Sequence, residues 1–425
     1  STPKPSSAAS DVYKRQWSSS ALAGRPTEEI EGSSHATTRQ VWQVNKTLLF
    51  TVTTLLDAVV ECVVERCPSP TTTYPPARDA PAHEGGWPSQ PTSNIPDVYL
   101  ALLRDVLHVF LHLYWITSTF GLDGFESYRK LFYSSLDVLG RDPDACTGTV
   151  AQLAQQLGVD RIPDASAEAS TSVHAARDAS FLERTHVVYF LLVAEQLAAE
   201  LPDAMVERLL LPVCRPYLEY ADPAFQDSFE SAHSLVLALY TAGKNCTLSL
   251  TPFYVNLLLQ SYPQLLTATQ LETALCTVVA SLSERSDSLT WWTVEQVQDA
   301  INAAVLARLP ASSEEAGSSR AEGDASGSGV AGGDGPGGDA PVPSMPLREV
   351  LALSMAALIS RVNLVHFRSL LVKVKALIFA QPEGSPARER IVSRTFEALA
   401  DLNAATREEG MKWWLEHSPE FTRGA

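Results

Sequence analysis

The sequence predicts an all-α fold, and three observations support this prediction. Apolar residues recur at every third or fourth position over most of the chain, as at Leu100, Leu103 and Leu107, and this spacing places them on one face of a helix. Sustained alternation of period two, which would indicate strands, does not occur in the sequence. Short polar turns separate many apolar segments, so neighbouring helices should pack as antiparallel pairs.

Stacking of such pairs would bury their apolar faces in an α-solenoid of the HEAT or armadillo kind. A repeat of fixed length would favour the solenoid, but the sequence contains none. An irregular helical bundle therefore stays open as the alternative architecture. Local signals mark helix starts at Pro96-Asp97 and Pro202-Asp203, and Thr293 followed by Gln296 predicts a capping box.

Stretches rich in Pro, Gly and Ser divide the 425-residue chain. Such stretches bury too little apolar surface to offset the entropy lost on ordering, so we expect them to be disordered. Asp11 to Gln16 resemble an appended cloning remnant and carry no weight in the fold prediction. The predicted organisation is a disordered segment at 1–38, an N-terminal helical region at 39–160 with a disordered loop at about 67–96, a central helical region at 180–310, a disordered Gly/Ser/acidic linker at 311–346, and a C-terminal helical region at 347–416.

The formal net charge of −17 disfavours nucleic-acid binding, because an acidic surface is repelled by the phosphate backbone. No uninterrupted apolar run reaches the roughly 18 residues that cross a bilayer. The best candidate, 98–116, contains Arg104 and Asp105. We therefore expect no transmembrane helix and at most a peripheral membrane contact.

Candidate chemical sites each lack a required element. His108 and His112 have metal-ligand spacing on a predicted helix, but no Glu follows the first histidine, as it does in zinc proteases. Glu230, His233 and Ser234 lie on one continuous predicted helix and not on the sharp turn that exposes a nucleophile. Cys62 and Cys67 have no second Cys/His pair nearby. We predict no catalytic, cofactor-binding or metal site.

Two tryptophan pairs, Trp291-Trp292 and Trp413-Trp414, are candidate partner-binding residues. Adjacent side chains on a helix point about 100° apart, so burying both needs a broad apolar surface. An exposed tryptophan is a favoured interface anchor; the alternative is that both members of a pair pack beneath neighbouring helices. The segment 361–379 also carries basic side chains among apolar ones, which suits an anionic lipid, an acidic helix or simply solvent.

Several strings in the second half of the chain resemble the fungal peroxin-8 family. They are Phe229 to Ser234, Pro252 to Val255, Tyr262-Pro263 with Gln270-Leu271, and Gly410 to Glu416. The resemblance extends over about 180–416. It implies a non-enzymatic scaffold in peroxisome biogenesis, peripheral to the lumenal side of the peroxisomal membrane. Such a protein would link the receptor-docking complex to the RING-finger complex during matrix protein import and assist release of cargo from the import receptor.

The C-terminal residues Arg423-Gly424-Ala425 are not the Ser-Lys-Leu-like import signal that the family commonly carries. The peroxisomal localisation is therefore implied by the resemblance alone. A cytosolic helical-repeat adaptor with no peroxisomal role is the alternative function.

Overall fold

The computed structural model describes Ile30 and residues 36–67, 95–120, 125–158, 179–219, 225–306 and 345–422. Every regular element in these ranges is helical, which confirms the predicted all-α class. The predicted disordered segments at 1–38, 67–96 and 311–346 lie almost entirely outside the described residues, so the proposed domain boundaries stay predictions. The helices are α1 (Ala36–Arg66), α2 (Asp97–Phe120), α3 (Glu126–Leu139), α4 (Pro143–Leu157), α5 (Phe181–Leu197), α6 (Asp203–Met205, continuing through the π-helical Val206–Leu210 into Leu211–Glu219), α7 (Gln226–Thr241), α8 (Cys246–Ser261), α9 (Ala268–Ser283), α10 (Asp287–Leu306), α11 (Leu347–Ala357), α12 (Leu364–Phe379), α13 (Pro386–Ala400) and α14 (Ala404–Thr422).

The helices form two compact units, 1–249 and 250–425. In the first unit, α1 packs against α2 and α3, while α5 contacts α2, α4 and α7. Its core contains edge-to-face aromatic rings such as Phe110 and Tyr128, whose centroids are 4.8 Å apart. The hydroxyl of Tyr189 in α5 donates to the backbone oxygen of Leu107 in α2 at 2.9 Å, so this buried phenol is paired and fixes the register of the two helices.

In the second unit, α11 is the central helix and contacts α9, α10 and α13. Its side chains Leu351 and Met355 are fully buried, which follows from the apolar spacing of three and four residues in this segment. Helices α12 and α14 pack against each other and against α13. The C-terminal helix thereby presents its side chains next to those of α12 and α13.

Two of the predicted helix starts are confirmed and one is wrong. Helix α2 begins at Asp97 and α6 begins at Asp203. Thr293 instead lies inside α10, where its hydroxyl donates to the backbone oxygen of Leu289 at 2.9 Å. A threonine hydroxyl that donates to the preceding turn finds its hydrogen-bond partner inside the helix. It therefore does not cap a helix start.

The structure corrects the expectation that no segment is long and apolar enough to cross a membrane. Helices α1 and α2 both meet that requirement by length and composition. This is weak evidence for a span, because a buried core helix passes the same test, and more than half of the apolar window of α2 is indeed buried. The window of α1 is only 22% buried, so α1 exposes much of its apolar surface.

Candidate partner-binding surface

The second tryptophan pair belongs to an aromatic cluster at the end of the second unit. Trp414 contacts Phe396 of α13 and Phe421 of α14, with ring centroids 5.2 and 5.9 Å apart. Trp413 and Phe379 of α12 also contact Phe421, each at 5.8 Å. We call these five residues the C-terminal aromatic cluster. The cluster joins three helices. The periodicity of the sequence does not predict that these three helices meet.

The cluster is buried at its centre and open at its rim. Phe421 is 6% exposed, whereas Phe396 and Phe379 are 48% and 45% exposed. Both tryptophans are half-buried, so neither member of the pair is fully covered. Leu415, the next residue along α14, is 71% exposed. Aromatic and aliphatic side chains held rigidly by packing but open to solvent are typical of binding hot spots.

Gly410 allows α14 to approach its neighbours closely enough to form this surface. A Cβ atom at this position would lie 2.3 Å from Leu402, 3.1 Å from Leu399 and 3.2 Å from Phe367. All three side chains are buried, so they have little room to move. The glycine therefore sets the position of Trp413 and Trp414, three and four residues further on.

His417 contacts Trp413 through both its ring face and its Nδ1 atom. The ring of His417 stacks on Trp413, with centroids 5.1 Å apart and an angle of 19° between the planes. Nδ1 of the same histidine lies 2.9 Å from the backbone oxygen of Trp413, which indicates that this nitrogen carries the proton. One tryptophan face is thus covered by a side chain of its own helix.

The first tryptophan pair has different neighbours. Trp291 of α10 stacks on His366 of α12 at 5.5 Å, and the ammonium of Lys373 lies 5.3 Å from its ring centroid. Trp291 and His366 line an open depression of about 480 Å³ together with Asp287, Ser288 and Ser369. Trp292 is half-buried. The two pairs therefore occupy separate places on the second unit, and only the pair Trp413-Trp414 lies beside exposed phenylalanines, Phe379 and Phe396.

The basic side chains of segment 361–379 are neutralised by acidic partners. Each of these pairs joins the segment to another helix or its flanking turn, and most involve partly exposed groups. Such a patch has little charge left to attract anionic lipid or an acidic helix, which favours its interpretation as a set of inter-helix ion pairs. The pairs are Arg361–Asp401 (3.4 Å), Arg368–Glu409, Lys373–Glu295 (3.1 Å) and Lys375–Glu420 (2.9 Å). In addition, Nε2 of His366 lies 3.7 Å from Oδ1 of Asp287.

The two histidines considered as metal ligands point to different neighbours. Nδ1 of His108 lies 3.1 Å from Nε2 of Gln156, while the ring of His112 packs edge-on against His186 at 5.9 Å. Burial lowers the pKa of His108 below its ordinary value. Among the described residues, no group of three or more His, Cys, Asp or Glu side chains is placed to hold a metal ion.

The residues considered as a catalytic triad are not arranged as one. His233 is 6% exposed and stacks on Phe229 of its own helix, with ring planes 9° apart. Glu230 instead accepts a hydrogen bond from Gln226 at 2.7 Å. Burial lowers the pKa of His233 to about 4, so the imidazole is neutral at physiological pH. These contacts describe a packed core histidine.

Residues 146–241 match the family model of the PEX8 central TPR-like domain. The chain resembles the peroxin-8 family over this segment. The match covers most of α4 and all of α5, α6 and α7. Of these four helices of the first unit, α5 packs against α4 and α7, and α6 packs against α7. No curated protein and no solved structure matches the chain.

The match supports a helical-repeat architecture for residues 146–241 and associates the chain with peroxisome biogenesis. The family is one of peroxisomal import scaffolds and is not a known family of enzymes. It implies association with the peroxisome and interaction with import proteins in general. The match overlaps the predicted region of resemblance between 180 and 241 and extends it to 146. The strings from Pro252 onward, including Gly410 to Glu416, lie outside it.

Proposed function

We propose that this protein is a non-enzymatic scaffold of peroxisomal matrix protein import. It links the receptor-docking complex to the RING-finger complex on the lumenal side of the peroxisomal membrane and assists release of cargo from the import receptor. The observation that carries the proposal is the match of four packed helices to the central domain of peroxin-8. A fold made of helices with extended exposed surfaces suits simultaneous contact with several proteins.

The C-terminal aromatic cluster is the surface that we assign to one of these partners. Its member Phe396 is exposed, as is Leu415, which follows Trp414 on α14, while the buried Phe421 contacts both tryptophan rings. Aromatic side chains on a rigid support give binding energy at low cost in conformational entropy. The ammonium of Lys375 lies 5.7 Å from the ring centroid of Phe379 and is already paired with Glu420. We therefore expect the contact to be mainly apolar and to depend weakly on salt.

The proposal is tested by affinity purification of the full-length tagged protein from peroxisome-containing cells. We expect docking-complex and RING-complex subunits to be recovered with the wild type. The variant Phe396→Ala/Leu415→Ala should weaken one of these contacts by about 2 kcal/mol or more, which is over tenfold in affinity. Both side chains are exposed, so their truncation should leave the helices folded.

A matched control truncates two exposed apolar residues at the other end of α12. Leu364 and Val365 are 53% and 67% exposed and lie about 22 Å along the helix from Phe379. The variant Leu364→Ala/Val365→Ala should retain all partners. Recovery of neither complex with the wild-type protein, together with a diffuse cytosolic signal from a fluorescent fusion, would contradict the proposed function and favour a cytosolic adaptor.

A further inference from the structure

Helix α1 has a second apolar face that the fold leaves exposed. Trp42, Leu49 and Val60 lie on its buried face. A separate row of uncharged residues faces solvent, with Val44 66% and Leu55 65% exposed. We call this row the α1 seam. It consists of Val41, Val44, Leu48, Thr51, Leu55, Ala58 and Cys62, all of which are exposed.

The seam has the spacing of a coiled-coil interface. Its members alternate at intervals of three and four residues from position 41 to position 62, which is the heptad pattern of a and d positions. At a rise of 1.5 Å per residue the seam is about 32 Å long. A row of this kind can pack along one partner helix. Side chains at the a and d positions of each helix insert as knobs into the holes between side chains of the other helix.

Hydroxyl groups on and beside the seam are already satisfied. Thr47, Thr51 and Thr54 each donate to the backbone oxygen of the residue four positions earlier, at 2.8 Å. Covering these threonines therefore removes no hydrogen bond that the protein needs from water. The seam can be buried without leaving an unpaired side-chain donor.

The charges of α1 are located away from the seam. Asp57 and Glu61 face Lys130 of α3, with oxygen-to-nitrogen distances of 3.7 and 3.5 Å. The ammonium of Lys46 lies 5.9 Å from the ring centroid of the buried Trp42. No Asp, Glu, Lys or Arg belongs to the seam itself. Two identical seams would consequently meet without like-charge repulsion, which is the electrostatic requirement for pairing with a second copy.

A lipid surface fits these residues less well than a second helix does. Helices that lie in a membrane interface usually carry Lys or Arg on the polar face and Trp, Phe or Leu on the apolar face. The seam is narrow and has no aromatic residue, and the chain has a net charge of −17, which opposes approach to anionic lipid. The length and composition of α1 also meet the requirement for a bilayer span, but a span does not call for the heptad spacing of the seam. The heptad spacing and the charge thus both favour a helix as the partner.

We propose that two copies of this chain pair through the α1 seam as antiparallel helices. Burial of both seams would remove on the order of 1,000 Å² from water, which is the lower size of a specific protein interface. Antiparallel packing opposes the two helix dipoles and separates the charged ends that carry Glu65 and Arg66. The expected association is therefore a reversible dimer.

The test is sedimentation velocity of the full chain over a range of concentrations. Wild-type protein should show a monomer–dimer equilibrium. The variant Leu48→Glu/Leu55→Glu places carboxylates seven residues apart on the seam and should sediment as a monomer. Because both side chains are exposed in the single chain, the variant should unfold at the same temperature as the wild type at concentrations where the wild type is also monomeric. Val365→Glu/Val372→Glu is the matched control, since these residues are also seven apart and are 67% and 68% exposed; it should dimerise like the wild type.

Three results would overturn the proposal. One is a wild-type protein that stays monomeric at every concentration, and another is a dimer that survives the seam variant. The third is a monomer that floats with phosphatidylcholine vesicles through Leu48 and Leu55, which would make the seam a lipid contact. Disulfide formation at the exposed Cys62 tests whether the two helices pair in the antiparallel orientation. Antiparallel pairing keeps the two Cys62 thiols more than about 30 Å apart, so an intermolecular Cys62–Cys62 disulfide formed with an added oxidant would contradict it.

Discussion

Replacement of Gly410 tests whether close packing of α14 supports the aromatic surface. A Cβ atom at this position meets Leu402 at 2.3 Å and Leu399 at 3.1 Å, well inside van der Waals contact. Exposed helical glycines are usually stabilised by replacement with alanine, by about 1 kcal/mol. At Gly410 the same replacement must displace buried side chains, so its effect on stability should have the opposite sign.

The expected magnitude follows from these opposing effects. Overpacking a well-filled core costs about 1–3 kcal/mol, so the net loss for Gly410→Ala is about 1 kcal/mol after subtraction of the helix-propensity gain. Gly410→Val adds two more methyl groups against Leu399 and Phe367 and should lose about 3 kcal/mol.

Chemical denaturation followed by tryptophan fluorescence measures both losses. Lys412 is exposed on the same helix, so Lys412→Val is the matched control and should change the free energy of unfolding by no more than about 0.5 kcal/mol. A Gly410→Val variant as stable as the wild type would refute the argument, because it would mean that α14 does not approach α12 and α13 as closely as described. Weaker partner binding by Gly410→Ala would connect this packing to function.

Three further predictions concern stability and reactivity. Burial holds the pKa of His233 at about 4 against an ordinary 6.5, so the unfolded state binds the proton first. Stability should be full above pH 6.5 and fall by up to about 3 kcal/mol as pH drops to 4, as measured by denaturation across pH; a His233→Gln variant with the same slope would contradict this. Arg394 donates to Glu272 at 2.6 Å and to Glu397 at 3.2 Å, and Arg394→Ala should lose about 1 kcal/mol in thermal denaturation, whereas an unchanged unfolding temperature would show that the pairs contribute nothing. Burial raises the pKa of Cys214 to about 12, so iodoacetamide should modify the exposed Cys62 in the native protein and reach Cys214 only after unfolding; mass spectrometry showing equal rates would refute the assigned burial.

Periodicity in the sequence predicted the helices because apolar spacing is a local property. Capping was less predictable, as two identical patterns show. Thr267 with Gln270 forms a capping box at the start of α9, whereas Thr293 with Gln296 lies inside α10 because that helix begins at Asp287. The same Thr-x-x-Gln pattern has different roles at the two positions. It caps a helix only where the helix begins, because only the first backbone amides of a helix lack a partner in a preceding turn.

The candidate site was predictable only in part, for a related reason. The unusual pair Trp413-Trp414 directed attention to α14, but its companions Phe379 and Phe396 come from other helices and carry no local signal. The sequence alone does not reveal the exposed apolar face of α1. Two apolar rows on one helix give a uniformly hydrophobic sequence, in which the row that is buried and the row that is exposed look alike. Only the packing of α1 on α2 and α3 distinguishes the covered row from the exposed one.

Import of a fluorescent matrix protein in cells that lack this gene is the most direct test of the proposed scaffold function. We expect the matrix protein to stay in the cytosol of these cells and the wild-type chain to restore import. Phe396→Ala/Leu415→Ala should restore import less well than Leu364→Ala/Val365→Ala. Normal import in cells without the gene would contradict a role in peroxisome biogenesis.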